Sequence, residues 1–255
     1  MDRNANIVLL EVGREEINKL TDTSIMQEQL KKNDIGFIQF KKIDLAYFCE
    51  KHDEILGFLC ELARKTNTEL ITGILYVNVQ DKVFEQSVYI DKAGEIKGIV
   101  SKKYDEKQLS HVEIFEIFKT TIGTVGIILG KDLWNVEIPR IIALKGAEIL
   151  FAPDIRLQEK ECAEEHILGI AVYNSLHIVY CRQEDVGSRL VFVSPEEVLV
   201  EKNLDWKESV VCIADMEQIA EIRKPDPTFQ KTMWWLLYGR KPEMYGEIVM
   251  DGAIY

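Results

Sequence analysis

The run from Gly123 to Pro153 constrains the fold more than any other part of the chain. Val125 to Leu129 is continuously apolar, the pattern of a strand covered on both faces. Gly130 breaks it. Asn135 offers an N-cap, and Pro139 lies near a helix start, where its missing donor does least harm. Ile138, Ile141 and Ile142 fall on one helical stripe. Gly146 supplies a carboxyl-terminal stop, and residues 147–151 form the next buried strand, closed by Pro153. Strand, sharp turn, helix and strand make a βαβ unit. Open α/β sheets place their ligands outside the carboxyl ends of such strands, so Gly130, Lys131 and Asp132 form the ligand-facing turn.

The rest of the chain continues the alternation. Residues 6–12, 35–40 and 69–77 read as strands, the last leading into a hairpin. Residues 23–32 and 53–65 read as helices, the second because Ile55, Leu56, Leu59 and Leu62 recur at helical spacing. Residues 82–90 alternate, Asp91 to Gly94 turn with Gly94 taking a positive φ, and residues 95–101 return as a strand that delivers Lys102 and Lys103. A polar loop over 104–111 precedes a strand over 112–119. After the opening unit come a helix over 159–174, with Ala163, Ile167, Ile170 and Ala171 inward, and strands over 176–181, 189–193, 198–200 and 209–215. A short helix over 216–223 leads into a tail from about Lys224 to Tyr255. No repeat and no Pro/Gly/Ser linker divides residues 1–255, so one domain is expected. Strands that alternate with helices and also form hairpins predict an α/β fold with two mixed sheets between helical layers.

Composition narrows the function classes. With 255 residues the chain is long enough to bury a sizeable core. A formal net charge of −12 and the lack of a long basic patch exclude nucleic acid as the expected partner. No apolar run approaches the roughly 20 residues of a spanning helix, so no membrane partner is expected, and no signal peptide is read at the amino terminus. Cys49, Cys60, Cys162, Cys181 and Cys212 are scattered without CxxC spacing, which indicates neither a zinc site nor a disulfide framework. A reducing, cytoplasmic home is expected. His177 falls within a strand, and His52, His111 and His166 are isolated, so neither a metal nor another cofactor is expected.

Several pieces in order are similar to one family. They are Asp91-x-x-Gly94 followed by a lysine, Gly126 through Asp132 with Glu137 and Arg140, Lys145 to Pro153, Ala171 and Asn174 ahead of the strand from His177, and Gly239 to Tyr245. Together these resemble the nitrilase, or carbon-nitrogen hydrolase, superfamily over about Asn6 to Tyr245. The resemblance implies a four-layer αββα sandwich and a Glu-Lys-Cys triad acting on amides and nitriles. The thiol must lose its proton to attack, the carboxylate takes that proton, and the fixed cation offsets the developing oxyanion. Tails that cross an interface between paired sandwiches imply a homodimer, and Trp234, Trp235 and Tyr238 lie in such a tail.

Carried onto this chain, the triad reads Lys42, Lys103 and Gly130, with Lys102 as the one-residue alternative to Lys103. A glycine cannot attack, and a lysine ammonium cannot take a thiol proton at neutral pH without a large pKa depression. The expectation is therefore a catalytically inactive member. Lys42, Lys103, Lys131 and Asp132 would line a cationic pocket around Gly130 that takes a small anion, helped by the N–H groups after the turn. The rival outcome is that the lysines reach solvent or pair with Asp44, Asp132 or Glu137. Two alternative functions stand beside this one: a divergent hydrolase of C–N bonds with a non-standard nucleophile, for which Cys162 is the leading thiol, and a structural subunit partnering an active relative.

Overall fold

The computed structural model describes residues 3–13, 17, 24–40, 45–104, 115–154, 163–183, 187–204, 209–225, 228 and 239, with main chain alone at 103, 154, 163, 183 and 204. Among these residues it contains two mixed sheets, of seven and six strands. The first holds β1 (Asn4–Val12), β2 (Ile35–Phe40), β3 (Glu69–Thr72), β4 (Leu75–Val79), β5 (Lys82–Ile90), β6 (Ile96–Lys103) and β13 (Ser209–Asp215). Its order is β13-β1-β2-β3-β5-β4, with β6 also on β5. The second holds β7 (Ile117–Lys119), β8 (Thr124–Ile127), β9 (Ile149–Asp154), β10 (His177–Gln183), β11 (Ser188–Val193) and β12 (Val198–Leu204), in the order β12-β11-β10-β9-β8-β7. In each sheet three neighbouring strands run parallel, β1-β2-β3 and β8-β9-β10, and antiparallel strands flank them.

The sheets face each other through apolar side chains. Phe37 of β2 meets Phe151 of β9 edge to face, with ring centroids 5.4 Å apart. Alternate residues of a strand point to opposite faces, so Phe37 and Gln39 point between the sheets while Gly36 points out. There α1 (Ser24–Lys31) presses so closely that a Cβ on Gly36 would lie 2.3 Å from Leu30 Cδ2. The long α2 (Leu45–Thr66) covers the same outer side through Phe48, Ile55, Leu59 and Leu62. On the far side, α3 (Glu137–Leu144) and α4 (Ala163–Asn174) pack Ile138, Ile142, Ile167, Ile170 and Ala171 against Leu150, Ile178 and Tyr180. This is the layered α/β sandwich that the strand and helix order predicts. A short α5 (Met216–Arg223) closes the described core, and its Asp215 cap accepts from the N–H groups of Glu217 and Gln218.

Three local expectations change. The second helix starts at Leu45 rather than 53, because Tyr47 and Phe48 extend the buried stripe. The polar run read as its boundary is the exposed side of a continuing helix. The strand expected over 69–77 divides into β3 and β4 at Gly73 and Ile74, although Gly73 N–H still donates to Ile38 O of β2 at 2.7 Å. Ile141, expected inward with Ile138 and Ile142, is 37% exposed. The carboxyl-terminal tail, with Trp234, Trp235 and Tyr238, lies outside the described residues, as do Asp44, His111 and Cys162.

Candidate functional site

The parallel strands of both sheets end at one edge, and the turn from Gly123 to Pro153 places Gly130 there. After β8, Ile128 still donates to Phe151 O at 2.9 Å, so the chain stays registered with β9 until Leu129. It then reverses. Gly130 has φ +53°, a left-handed conformation that a residue without Cβ adopts freely. A five-residue 3-10 helix, Gly130–Trp134, follows. It is fixed by Asp132 N–H donating to Leu129 O at 3.2 Å and Asn135 N–H to Asp132 O at 3.3 Å. The N-cap of α3 is Val136 rather than the expected Asn135, which lies one residue earlier and accepts at its Oδ1 from Glu137 N–H at 3.1 Å. Gly130 and Asp132 are buried, and Lys131 is exposed.

Lys102 reaches this turn from β6. Its Nζ donates to Leu129 O at 3.1 Å, and the residue is 5% exposed. Two carboxylates flank the ammonium group, Glu85 Oε2 at 3.6 Å and Asp132 Oδ2 at 4.0 Å. Glu85 lies directly opposite Lys102 in the β5–β6 register, which is why it can reach. Lys103 follows on β6 opposite Phe84, and its side chain lies outside the described residues. Lys42 lies outside them too.

Among the described residues Lys102 is the only buried lysine or arginine, and it sits between two buried acids, Glu85 and Asp132. Of the residues expected to line the pocket, Lys131 is exposed and Asp132 is buried.

Further along the same edge, Glu11 at the end of β1 accepts from Ser188 Oγ of β11 and so ties the two sheets together at 2.5 Å. Gln39 lies beside Glu11 in register on β2. It is 2% exposed, and its Oε1 is buried without a hydrogen-bond partner. Glu85, Glu11 and Gln39 were not singled out from the sequence. A signal exists in retrospect: each is a polar residue on the inward face near the end of an otherwise apolar or alternating strand.

None of the described cysteines lies in the Gly130 turn. Burial pushes the Cys49 and Cys60 thiols up, and pushes Cys212 up to about 12, so none is a ready thiolate at neutral pH. Cys181 is fully buried in the core between the sheets. His177 is buried as well, its Nε2 donating to Asp215 O at 2.9 Å, a structural role. Among the described residues no group of His, Cys, Asp and Glu could hold a metal ion, and no helix is long and apolar enough to cross a membrane.

Comparison with known proteins agrees with this fold. A carbon-nitrogen hydrolase from Helicobacter pylori G27 superposes with a TM-score of 0.77, at 22% identity, covering 97% of this chain and 99% of that one. Nit3 from Saccharomyces cerevisiae, a member of the nitrilase superfamily, superposes with a TM-score of 0.72, at 16% identity, over 90% and 96% of the two chains. In sequence, a citrullinase from Francisella tularensis is 22% identical over 80% of this chain and 82% of its own length. The carbon-nitrogen hydrolase family model matches residues 36–184, which span β2 to β10 and include the Gly130 turn. By that match and by its fold, the chain belongs to the carbon-nitrogen hydrolase family.

Proposed function

We propose that this protein keeps the carbon-nitrogen hydrolase frame but does not cleave amides or nitriles through a covalent thioester. One observation carries the reading: the turn that presents the nucleophile holds Gly130. Nucleophilic catalysis needs an atom that can form and release an acyl bond, and glycine has none. Lys102 occupies the position of the family lysine in this reading, because its ammonium group lies against the carbonyl that precedes Gly130. An oxyanion stabiliser without a nucleophile binds but does not turn over. The small-anion ligand loses support from the two carboxylates beside Lys102.

The test is a turnover panel of aliphatic amides, nitriles and a ureido compound, the last because the Francisella relative is named a citrullinase. Intact-mass spectrometry runs alongside it to seek an acyl adduct. No turnover and no adduct are expected. Turnover that Lys102→Met abolishes would replace this reading with the alternative, a hydrolase using another nucleophile. The buried Lys102–Glu85–Asp132 cluster favours that second reading, since buried charges are costly to maintain without a use.

A homodimer completes the proposal. The outer faces of α3 and α4 expose Ile141 and Tyr173, and light scattering at the monomer or dimer mass tests it. A mass that doubles only when an active relative is added would favour the structural-subunit role. Cytoplasmic residence fits the free thiols of the described cysteines.

A further inference from the structure

We propose that His166 is an acid-sensitive latch on the Gly130 turn: neutral, it holds Trp134 in a ring stack; protonated, it leaves the stack and the turn loosens. Trp134 is the last residue of the 3-10 helix Gly130–Trp134, and His166 lies near the start of α4. Their rings stack with centroids 4.5 Å apart and an interplanar angle of 20°. Trp134 also packs against the core between the second sheet and its helices. The stack therefore joins a helix of the outer layer to the turn that carries Gly130 and Asp132. Two main-chain hydrogen bonds close that turn, Asp132 N–H to Leu129 O at 3.2 Å and Asn135 N–H to Asp132 O at 3.3 Å. Bonds in 3-10 geometry are poor, so a clamp on the last residue contributes to the order of the turn.

The stack has no place for an added proton. Nε2 of His166 and Nε1 of Trp134 are both buried without a hydrogen-bond partner. The indole nitrogen is itself a donor, so it cannot accept from an imidazolium. A charged ring with a buried, unpaired N–H is costly, and attraction to the indole face offsets part of that cost. Burial holds the His166 pKa below the ordinary histidine value. Around the pair, Lys131 of the turn, Glu137 of α3 and Glu165 of α4 are exposed, and Arg140 of α3 is half-buried. Asp132 lies toward Lys102, and Glu164 pairs with Arg189 of β11. On β10, Tyr180 and Arg182 share the α4 face with Ile178, whereas His177 turns to Asp215 of the other sheet. His166 is therefore the histidine of this neighbourhood among the described residues, and histidine is the side chain that ordinarily changes charge between about pH 5 and pH 8. The folded turn favours the neutral ring, so the latch is closed above about pH 6.5 and opens as pH falls through the folded pKa. This inference concerns the conformation of the turn and does not rest on the reading of Gly130.

Hydrogen exchange of the full chain, read by NMR at the amides of Asp132 and Asn135, tests the inference, because those N–H groups make the closing bonds of the turn. Native protein and His166→Phe, which keeps a stacking ring and cannot titrate, are compared at the same pH so that intrinsic exchange cancels. At about pH 7.5 the two should be protected alike, and at about pH 5 the native protein should lose protection that the variant keeps. Trp134 emission, taken as native protein minus Trp134→Phe, should change over the same range, and the same difference on a His166→Phe background should stay flat. Where His166→Phe fails to fold, His166→Gln carries the test: it lacks both the stack and the titration, so its turn should be loose at both pH values and match the native protein only in acid. The inference is overturned if native protein and variant are protected alike at both pH values, or if Trp134 emission shifts while the two amides keep their protection. Amide turnover would overturn the inactive reading and leave this result untouched.

Discussion

Lys102 holds its ammonium group between two carboxylates in a place nearly closed to water. Removing it should be costly, because Glu85 and Asp132 would keep their burial and lose their shared cation. Lys102→Met is expected to destabilise the protein by about 3 kcal/mol in urea unfolding. Adding Glu85→Gln should return part of that loss, since it removes one of the two buried charges that face the lost ammonium. A neutral Lys102→Met would show that the cluster contributes nothing to stability. Gly130 and Gly94 make a second comparison. Both have positive φ, +53° and +77°. Alanine at either should cost about 1 kcal/mol for the left-handed backbone. Gly94→Ala should cost more, because its Cβ would also lie 2.3 Å from the main-chain oxygen of Cys60. Equal losses at the two sites would contradict that. The sequence made Gly130 legible, since the apolar run, the glycine and Asp132 are contiguous. It placed Lys103 at the lysine position with Lys102 as the alternative, because a slip of one residue exchanges the two faces of a strand. Of the two, Lys102 is the one whose side chain is described, and it reaches the turn at Leu129 O.

Elements were legible where their residues repeat with a clean period. β2, β5, β13 and α5 fall where periodicity predicts, because each has its boundary marked by a turn or cap. The start of α2 was hidden by its own polar face: Glu50, Asp53 and Glu54 are exposed on a helix whose inner side continues through Tyr47 and Phe48. What periodicity cannot show is how tightly two elements approach. Gly98 on β6 is an example, since a Cβ there would lie 2.0 Å from Phe118 Cε1 on β7. This glycine allows an aromatic ring of the second sheet to lie flat on the first. Gly98→Ala is therefore expected to destabilise by about 1–3 kcal/mol through overpacking. Pairing it with Phe118→Leu should recover part of the loss, and thermal unfolding of the single and double variants measures both. If the double variant is no better than the sum of its parts, the contact is not the cause.

At the scale of the whole molecule, the two sheets are joined at the edge opposite the site by His177. It leaves β10 and donates to Asp215 O at the end of β13, linking one sheet to the other. Burial holds its pKa below the ordinary histidine value, and main-chain hydrogen bonds with Asp215 and Val193 offset this only in part. The sign of the consequence follows. In the unfolded chain the imidazole takes up a proton near pH 6.5, while in the folded chain it resists doing so. The unfolded state then binds more protons, so stability is fully present above about pH 6.5 and is lost as pH falls through the folded pKa. Burial also lowers the pKa of His166, stacked on Trp134, and adds to the same trend. The chain's net charge of −12 works the other way, because acid relieves self-repulsion. A pH profile of the native protein alone would mix these effects. The decisive measurement is the difference in urea stability between native protein and His177→Gln, which keeps an N–H donor but has no titration. Between about pH 7 and pH 5 the native protein should lose more stability than the variant. Parallel profiles would mean that the joint between the sheets does not depend on a neutral His177.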